Sequence, residues 1–262
     1  MLELNEVVKH YRSAGEEVRA VDGVNLRVRA GEMVALHGPS GSGKTTLLLL
    51  IAALLAPDSG SIRFQGRELS SLSDGQAADY LHRDVGFVYQ SPQLMGRVSA
   101  LENAALKLML GGVPADEARA RVLPWLERVG LAGSMHRPPE RLSAGERQRV
   151  AIVRALAGGP RLVLADEPTG TLDSARSLEI IELLRSFAHE REAAVLLVTH
   201  DLEAASIADR SATLRDGRLT EGSAADDGRG RATPSEGSEA NGGRHETGST
   251  PSARAKEGSG GD

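Results

Sequence analysis

Apolar and polar residues alternate over residues 2–28 of the chain, which is the pattern of strands that bury one face. The apolar positions are Leu2, Leu4, Val7, Val8, Val18, Val21, Val24, Leu26 and Val28. Turn signals stand at Asp22-Gly23 and Ala30-Gly31. We therefore expect strands in this segment, and one more short strand at Ser61–Gln65.

Short apolar runs and longer helical runs alternate through the chain beyond this segment. Apolar runs typical of buried strands stand at Met33–His37, Leu162–Ala165 and Val195–Thr199. Helical patterns occupy Gly43–Leu55, where a proline soon follows, and Ser174–His189. Strand and helix in this order predict a parallel sheet covered by helices on both faces.

Two regions depart from this alternation. Residues 100–157 are rich in helical patterns, which predicts a helical subdomain, at about residues 91–157, inserted into the sheet domain. Residues 221–262 contain no Val, Ile, Leu, Met, Phe, Tyr or Trp. Such a segment buries too little apolar surface to offset the entropy of ordering it. We therefore expect one domain at residues 1–220 and a disordered tail at residues 221–262.

Composition narrows the class of protein. The 262 residues carry a formal net charge of −5, which argues against a nucleic-acid partner bound through bulk positive charge. The chain has no cysteine, so it has neither disulfides nor thiolate metal ligands. Its N-terminus lacks the pattern of a secretory signal. The longest apolar run, Leu47–Ala56, is about half of the ~20 residues that cross a bilayer. Any membrane-spanning part is therefore expected on another polypeptide.

A glycine-rich loop follows the strand at Met33–His37. Its residues are Gly38, Pro39, Ser40, Gly41, Ser42, Gly43, Lys44 and Thr45, followed by Thr46. They match the phosphate-binding pattern G-x-x-x-x-G-K-[ST], with the required strand before it and helix after it. We expect backbone N–H groups to surround phosphates, Lys44 to reach the β- and γ-phosphates, and the Thr45 hydroxyl to bind Mg²⁺. The loop predicts a nucleotide site.

Two adjacent carboxylates, Asp166 and Glu167, follow the strand at Leu162–Ala165. Successive residues of a strand point in opposite directions, so the two acids are expected to have different functions. Asp166 is placed to hold Mg²⁺ through its water shell. Glu167 is the candidate general base for an attacking water.

The segment Leu142-Ser143-Ala144-Gly145-Glu146 lies between these two sites in the sequence. Ser143 and Glu146 have the spacing of a capping box, so the segment alone predicts the start of a helix. A helix start with exposed Ser143 and Gly145 is also an anion site. The two interpretations are compatible.

In its order along the chain, this segment resembles the signature of the ATP-binding cassette family, the ATPase subunits of ABC transporters. The resemblance extends from Leu2 to Leu219. It implies an α/β fold with a P-loop NTPase core and parallel sheet, an N-terminal antiparallel β subdomain and an inserted α-helical subdomain. ATP and Mg²⁺ are the implied ligands.

The resemblance also implies roles for four further residues. Tyr11 matches a ring that stacks on adenine, with an ordinary strand aromatic as the alternative. Gln90 matches the Q-loop glutamine, which contacts Mg²⁺ and the attacking water. Asp173 matches the D-loop, and His200 matches the switch histidine that contacts the γ-phosphate. In the family, the signature of one subunit completes the ATP site of another, so a head-to-tail dimer with two ATPs, most simply a homodimer, is expected.

Three residues depart from the family pattern. Ala144 and Glu146 replace Gly and Gln of the commonest signature, and Thr171 stands where the most similar subgroup usually has Asn. Because Ser143 and Gly145 are kept, activity is expected. A methyl at Ala144 could tighten the dimer contact.

The subgroup that the motifs resemble comprises the lipoprotein-release and macrolide-export ATPases, and the cell-division ATPase is similar. This implies a peripheral protein at the cytoplasmic face of the membrane, bound to an integral-membrane permease on a separate chain. The segment Ser91–Asn103 is expected to receive the permease, with Leu94, Met95 and Val98 as contacts or, equally, as ordinary core residues. The alternatives are a soluble or cell-division-type ATPase that transports nothing, and a P-loop enzyme of another family.

Overall fold

The computed structural model describes residues 1–13 and 16–222. The predicted tail therefore lies, from residue 223 onward, outside the described residues. A four-stranded antiparallel sheet has the order β2-β1-β4-β5. Its strands are β1 (Leu2–Ser13), β2 (Glu16–Val28), β4 (Ser59–Phe64) and β5 (Arg67–Glu68). The alternation of residues 2–28 thus forms two long paired strands, in which Leu2 faces Val28 and Tyr11 faces Val18.

A six-stranded sheet forms the centre of the fold, with the order β10-β9-β3-β8-β7-β6. Its strands are β3 (Met33–His37), β6 (Val85–Val88), β7 (Leu162–Asp166), β8 (Ala194–Val198), β9 (Arg210–Arg215) and β10 (Arg218–Gly222). Every pairing is parallel except that of β9 with β10. The carboxyl ends of β3, β7 and β8, the three central parallel strands, therefore meet at one edge of the sheet.

The helices are α1 (Lys44–Ile51), α2 (Asp74–Arg83), α3 (Ala100–Leu110), α4 (Ala115–Arg128), α5 (Ala144–Leu156), α6 (Ser174–Arg191) and α7 (Leu202–Ile207). Helix α3 packs on both α4 and α5. Among the described residues, none of these helices is long and apolar enough to cross a membrane.

The predicted helix Gly43–Leu55 is too long at both ends. Gly43 has φ 101°, outside the helical region, and α1 begins at Lys44. At the other end, α1 stops at Ile51 and Ala53 has φ 56°. The chain must leave the helical region before Pro57, since proline disfavours a helical residue in front of it. The apolar residues after Ile51 therefore form a turn.

Two hydrophobic cores lie on the two faces of the central sheet, and the alternation along β3 and β8 divides residues between them. Met33 and Val195 belong to the core shared with α3–α6. Val34 and Leu196, the next residues of each strand, belong to the core shared with α1 and the antiparallel sheet. The predicted α/β fold, with a parallel sheet covered on both faces, is confirmed.

Candidate functional site

The glycine-rich loop joins β3 to α1 in a conformation that requires glycine. A Cβ on Gly43 would lie 1.8 Å from the carbonyl oxygen of Ala20 in β2. A Cβ on Gly38 would lie 2.0 Å from the carbonyl oxygen of Leu214 in β9. Both distances are far inside van der Waals contact, so the missing side chains let the loop lie directly against two strands.

The loop and the start of α1 supply several hydrogen-bond donors. No side chain caps α1, whose first N–H groups are thus left for another acceptor. The Lys44 ammonium donates to the carbonyl oxygens of Gly38 (2.9 Å) and Pro39 (2.8 Å). These acceptors belong to the same loop, so Lys44 is already positioned over it. A helix N-terminus, backbone donors and a lysine together form an anion site suited to phosphates.

Thr45 and Asp166 provide oxygen atoms for a metal ion. The Thr45 hydroxyl donates to the Asp166 carboxylate, Oγ1 to Oδ2, over 2.8 Å. Asp166 is the last residue of β7 and is only 6% exposed. A hydroxyl and a carboxylate are the hard oxygen ligands that Mg²⁺ takes alongside water and phosphate oxygens. The donor set therefore fits the ion that the sequence implies.

Glu167 and His200 follow the carboxyl ends of the neighbouring strands β7 and β8. The His200 imidazole donates from Nδ1 to Oε2 of Glu167 over 2.7 Å. The Glu167 side chain is 13% exposed, whereas that of His200 is 75% exposed. Glu167 has φ 48°, and its N–H donates to the Val198 carbonyl. Glu167 thus contacts His200, whereas Asp166 contacts Thr45, in agreement with different functions for the two acids.

These residues meet in one cavity of about 520 Å³. The lining comprises Tyr11, Val18, Ala20, Gly38, Ser40, Gly41, Gly43, Lys44, Thr45, Thr46, Gln90, Asp166, Glu167 and His200. Pro39 and the 5% exposed Ser42 belong to the loop but not to the lining. Sequence reasoning missed Val18 and Ala20. The pairing of Tyr11 with Val18 across the β1–β2 hairpin is the signal that could have located them.

Gln90 connects this cavity to α5. It comes directly after Tyr89, whose carbonyl accepts a hydrogen bond from the Gln148 side chain over 3.1 Å. Gln148 lies in α5 and is 1% exposed. A buried side chain of the helix that begins at the signature is therefore hydrogen-bonded to the segment around Gln90.

The signature Ser143–Glu146 forms the predicted capping box at the start of α5. Ser143 Oγ accepts from the Glu146 N–H (3.1 Å), and Glu146 Oε2 accepts from the Ser143 N–H (2.8 Å). Glu146 Oε1 also accepts from the Ser134 hydroxyl over 2.6 Å. These bonds, that of Ser134 first, lower the pKa of Glu146. Its carboxylate is thus engaged within its own chain.

Gly145 and the D-loop lie against each other. A Cβ on Gly145 would stand 2.9 Å from Leu172 Cδ2 and 3.4 Å from the Thr171 carbonyl oxygen. The neighbouring Asp173 caps α6 by accepting from the Arg176 N–H. Among the described residues, neither Asp173 nor Ser143, Ala144, Gly145 or Glu146 lines the cavity of the phosphate loop. A single chain therefore does not bring the signature to its own phosphate loop.

The apolar residues of the segment predicted to receive a permease differ in their exposure to solvent. Met95 is 51% exposed, whereas Leu94 is half-buried against the helical core. The amide of Asn103 holds the segment by accepting from the Met95 N–H and donating to the carbonyls of Met95 and Val98. Only Met95 of the three predicted contacts is fully available at the surface.

Comparison with known proteins agrees with this geometry. The sequence model of the family described as ABC transporter matches residues 21–170. An ABC transporter ATP-binding protein of Thermotoga maritima is 43% identical over 219 residues, which cover 84% of this chain and 93% of that protein. The lipoprotein-releasing system ATP-binding protein LolD of Chromohalobacter salexigens is 42% identical over 221 residues, again 84% and 93% of the two chains.

Solved structures show the same fold. The ATP-binding cassette MJ0796, determined as a dimer in a post-hydrolysis state bound to ADP and Pi, matches with a TM-score of 0.80 and 36% identity. The match covers 84% of this chain and 98% of that one. The cassette cbiO1 of Clostridium perfringens matches with a TM-score of 0.72 and 30% identity, over 84% and 86% of the two chains. The chain therefore belongs to the ABC transporter family and is one of its ATP-binding ATPase subunits.

Proposed function

We propose that two copies of this chain hydrolyse ATP at shared sites and thereby drive a separate membrane permease. The observation that carries the proposal is the cavity in which the phosphate loop, Asp166, Glu167 and His200 meet. It combines an anion site, oxygen ligands for Mg²⁺ and a base next to a histidine. Phosphoryl transfer to water needs these parts and little other covalent chemistry.

The positions of these side chains support the following hydrolytic step. ATP enters with its phosphates over the loop, and Lys44 exchanges the carbonyls of Gly38 and Pro39 for phosphate oxygens. Bound Mg²⁺, held by Thr45, Gln90 and, through water, Asp166, would neutralise charge on the β- and γ-phosphates.

Glu167 takes a proton from water as the water oxygen bonds to the γ-phosphorus. The bond from that phosphorus to the β–γ bridging oxygen breaks, and ADP and phosphate leave. As an imidazolium, His200 would donate from Nε2 to the γ-phosphate, while its bond from Nδ1 to Glu167 keeps the base oriented.

A second copy completes each site. Ser143 and the first N–H groups of α5 would reach the partner's γ-phosphate, with Gly145 allowing the close approach. The adenine would stack on Tyr11, a residue that is 39% exposed. The dimeric MJ0796 cassette supports this arrangement. ATP would then close the two copies together, and hydrolysis would separate them.

The similarity to LolD supports a role in lipoprotein release, in export or in mechanotransmission across the membrane. The chain would act as a peripheral subunit at the cytoplasmic face, bound to an integral-membrane permease. Closure of the dimer would move the permease through the segment that follows Gln90.

Co-purification tests this function. The Glu167→Gln chain, carrying an affinity tag, is isolated from detergent-solubilised cells with ATP and Mg²⁺. The Lys44→Ala chain is the matched control, which should not form the closed dimer. We expect a stoichiometric integral-membrane protein with the first variant, and we expect that same protein to change the ATP hydrolysis rate of the unmodified chain. Recovery of ribosomes or DNA instead would contradict the proposal.

A further inference from the structure

A second groove, which shares no lining residue with the ATP cavity, lies between the edge strand β6 and helices α2, α3 and α5. Its volume is about 350 Å³. The rings of Phe87 and Tyr89 stack in its wall, with centroids 4.2 Å apart. The amine of Lys107 thus stands among mainly apolar and aromatic side chains. The full lining comprises Leu81, Val85, Phe87, Tyr89, Leu106, Lys107, Leu110, Arg154 and Ala155.

The Lys107 side chain has no carboxylate partner among residues 1–13 and 16–222. It donates instead to the Val85 carbonyl of β6. Arg154, the second cation of the groove, likewise forms no ion pair within the described part of the chain and donates to the Gln93 carbonyl. Two positive charges therefore share a partly buried groove with only neutral carbonyl oxygens as acceptors.

This environment favours the neutral form of the amine. Burial lowers the pKa of Lys107 to about 8, and the charge of Arg154 acts in the same direction, whereas that of Asp84 opposes it. At about pH 7.5, about a quarter of such amines are neutral, against about 0.1% for an ordinary lysine with a pKa of about 10.4. A lysine in an apolar pocket or beside another cation is an activated nucleophile. Lys107 has both features.

We propose that Lys107 is a modification site that takes up carbon dioxide as a carbamate paired with Arg154. The neutral Nζ attacks the carbon of CO₂, and the electron pair of one C=O π bond moves onto its oxygen. The nitrogen then loses a proton to water, so the products are Nζ–COO⁻ and one H⁺ in solution. The step needs no oxidant, reductant or second substrate. The inference is independent of the proposed function.

The groove fits both the reactant and the product. Carbon dioxide is small and apolar, so it enters an apolar groove without leaving hydrogen-bonding groups unsatisfied. The carbamate keeps one N–H, which is free to donate to the Val85 carbonyl. Its carboxylate changes the repulsion between Lys107 and Arg154 into a charge-assisted ion pair. A protonated Schiff base with an aldehyde would keep a cation at Lys107 and would give Arg154 no partner.

Arg154 links the modification to the segment that follows Gln90. In the unmodified chain its guanidinium donates to the Gln93 carbonyl, three residues after Gln90. A carbamate on Lys107 would be a charged acceptor for the same guanidinium, and charged acceptors form stronger hydrogen bonds than neutral carbonyls. Carbon dioxide would therefore weaken the contact that Arg154 makes with this segment.

Trapping of the carbamate as its stable ethyl ester with triethyloxonium tests the site in the full chain. The chain is incubated at about pH 7.5 with ¹³C-labelled CO₂ and bicarbonate, treated with the reagent and mapped by mass spectrometry. The sequence has only four lysines, so each position is resolved: Lys9, Lys44, Lys107 and Lys256. We expect at least about tenfold more labelled adduct at Lys107 than at Lys9, which pairs with Asp58, because a desolvated amine is neutral far more often.

The same chain unfolded in urea is the first control, because the preference for Lys107 should disappear with the fold. Arg154→Gln should lower the adduct at Lys107 about tenfold, which corresponds to loss of a charge-assisted pair. Arg128→Gln is the matched control, since Arg128 lies in α4 outside the groove, and the adduct should persist. Melting curves verify the fold of each variant. If Arg154→Gln does not fold, Arg154→Met, which suits the apolar groove, carries the same expectation.

Several results would overturn the inference. They are an adduct at Lys107 no greater than at Lys9, a preference for Lys107 that persists in urea, or an adduct that is unchanged in the folded Arg154 variants. An adduct at Lys107 without the ¹³C label would identify another electrophile and reject the carbamate.

Discussion

The Glu167 carboxylate and the His200 imidazole lie 2.7 Å apart at the ends of two adjacent parallel strands. Glu167 adopts φ 48°, a conformation that costs a non-glycine residue about 1–2 kcal/mol. The bond from its N–H to the Val198 carbonyl holds this conformation. The strain is thus placed where it orients the candidate base toward the histidine and the phosphate loop.

Replacement of Glu167 by Gln should stop hydrolysis and spare binding. The amide keeps the size of the side chain but cannot accept the proton of water, so we expect the rate to fall about 10²- to 10⁴-fold. ATP affinity should change little, as measured with a fluorescent analogue. Glu192→Gln is the matched control, because Glu192 also has a left-handed backbone, with φ 50°, at the end of α6. Unchanged turnover in Glu167→Gln would remove Glu167 from the role of base.

The bond between Thr45 and Asp166 predicts a change in magnesium dependence. Thr45→Val keeps the shape of the side chain and removes the hydroxyl that bonds to Asp166. We expect the Mg²⁺ concentration at half-maximal hydrolysis to rise about tenfold, since one hard oxygen ligand is lost. Thr46→Val is the matched control, because no magnesium contact is assigned to Thr46. Its Mg²⁺ concentration at half-maximal hydrolysis should not change. Equal midpoints in the two variants would contradict the assignment of Thr45.

Gly43 provides a test of the phosphate loop. In Gly43→Ala the added Cβ would meet the Ala20 carbonyl at 1.8 Å, so the loop must move. We expect ATP affinity to fall at least about tenfold, in addition to about 1–2 kcal/mol of backbone strain. Gly31→Ala is the control, because Gly31 has φ 75° but open space around its Cα. Gly31→Ala should unfold at a lower denaturant concentration and keep its ATP affinity. An equal loss of ATP affinity in both variants would contradict a steric role for Gly43.

The Glu146 carboxylate makes stability depend on pH. Its pKa is lowered in the folded chain, chiefly by the Ser134 hydroxyl and then by the Ser143 N–H. The stabilisation is complete above the ordinary glutamate pKa of about 4.3 and is lost as the pH falls through the lower folded value. Glu146→Gln keeps the capping box without the charge. We expect the difference in unfolding free energy between the two chains, measured with urea, to shrink as the pH falls from about 6 toward 3. Most of this change should occur at about pH 4 and below. A pH-independent difference would contradict the charge effect.

The phosphate loop and the acid pair could be predicted because their chemistry resides in contiguous residues next to buried strands. The residues of strand β7 and of the loop at Gly38–Thr45 suffice to identify these features without knowledge of distant contacts. The alternation of residues 2–28 likewise predicted β1 and β2, but not their register, so Val18 was missed although it faces Tyr11. Register depends on pairing between distant residues, which a periodic pattern does not specify.

Other features depend on tertiary structure. Strand β9 at Arg210–Arg215 was not predicted, because arginines at both ends obscure its alternation. Helix α1 ends at Ile51 although the apolar pattern continues, because the chain turns before it reaches Pro57.

The central claim is that one chain forms half of an ATP site and a second copy completes it. The direct test is sedimentation velocity of Glu167→Gln with ATP and Mg²⁺, compared with the same chain carrying Ser143→Arg. As a control, Ser73→Arg removes an equivalent capping box from α2 and should have a similar stability cost of about 1 kcal/mol.

We predict an ATP-dependent dimer for Glu167→Gln and for its combination with Ser73→Arg. We predict a monomer that still binds ATP when Ser143→Arg is present. A dimer that persists with Ser143→Arg, or a Glu167→Gln chain that stays monomeric at saturating ATP, would contradict the shared site.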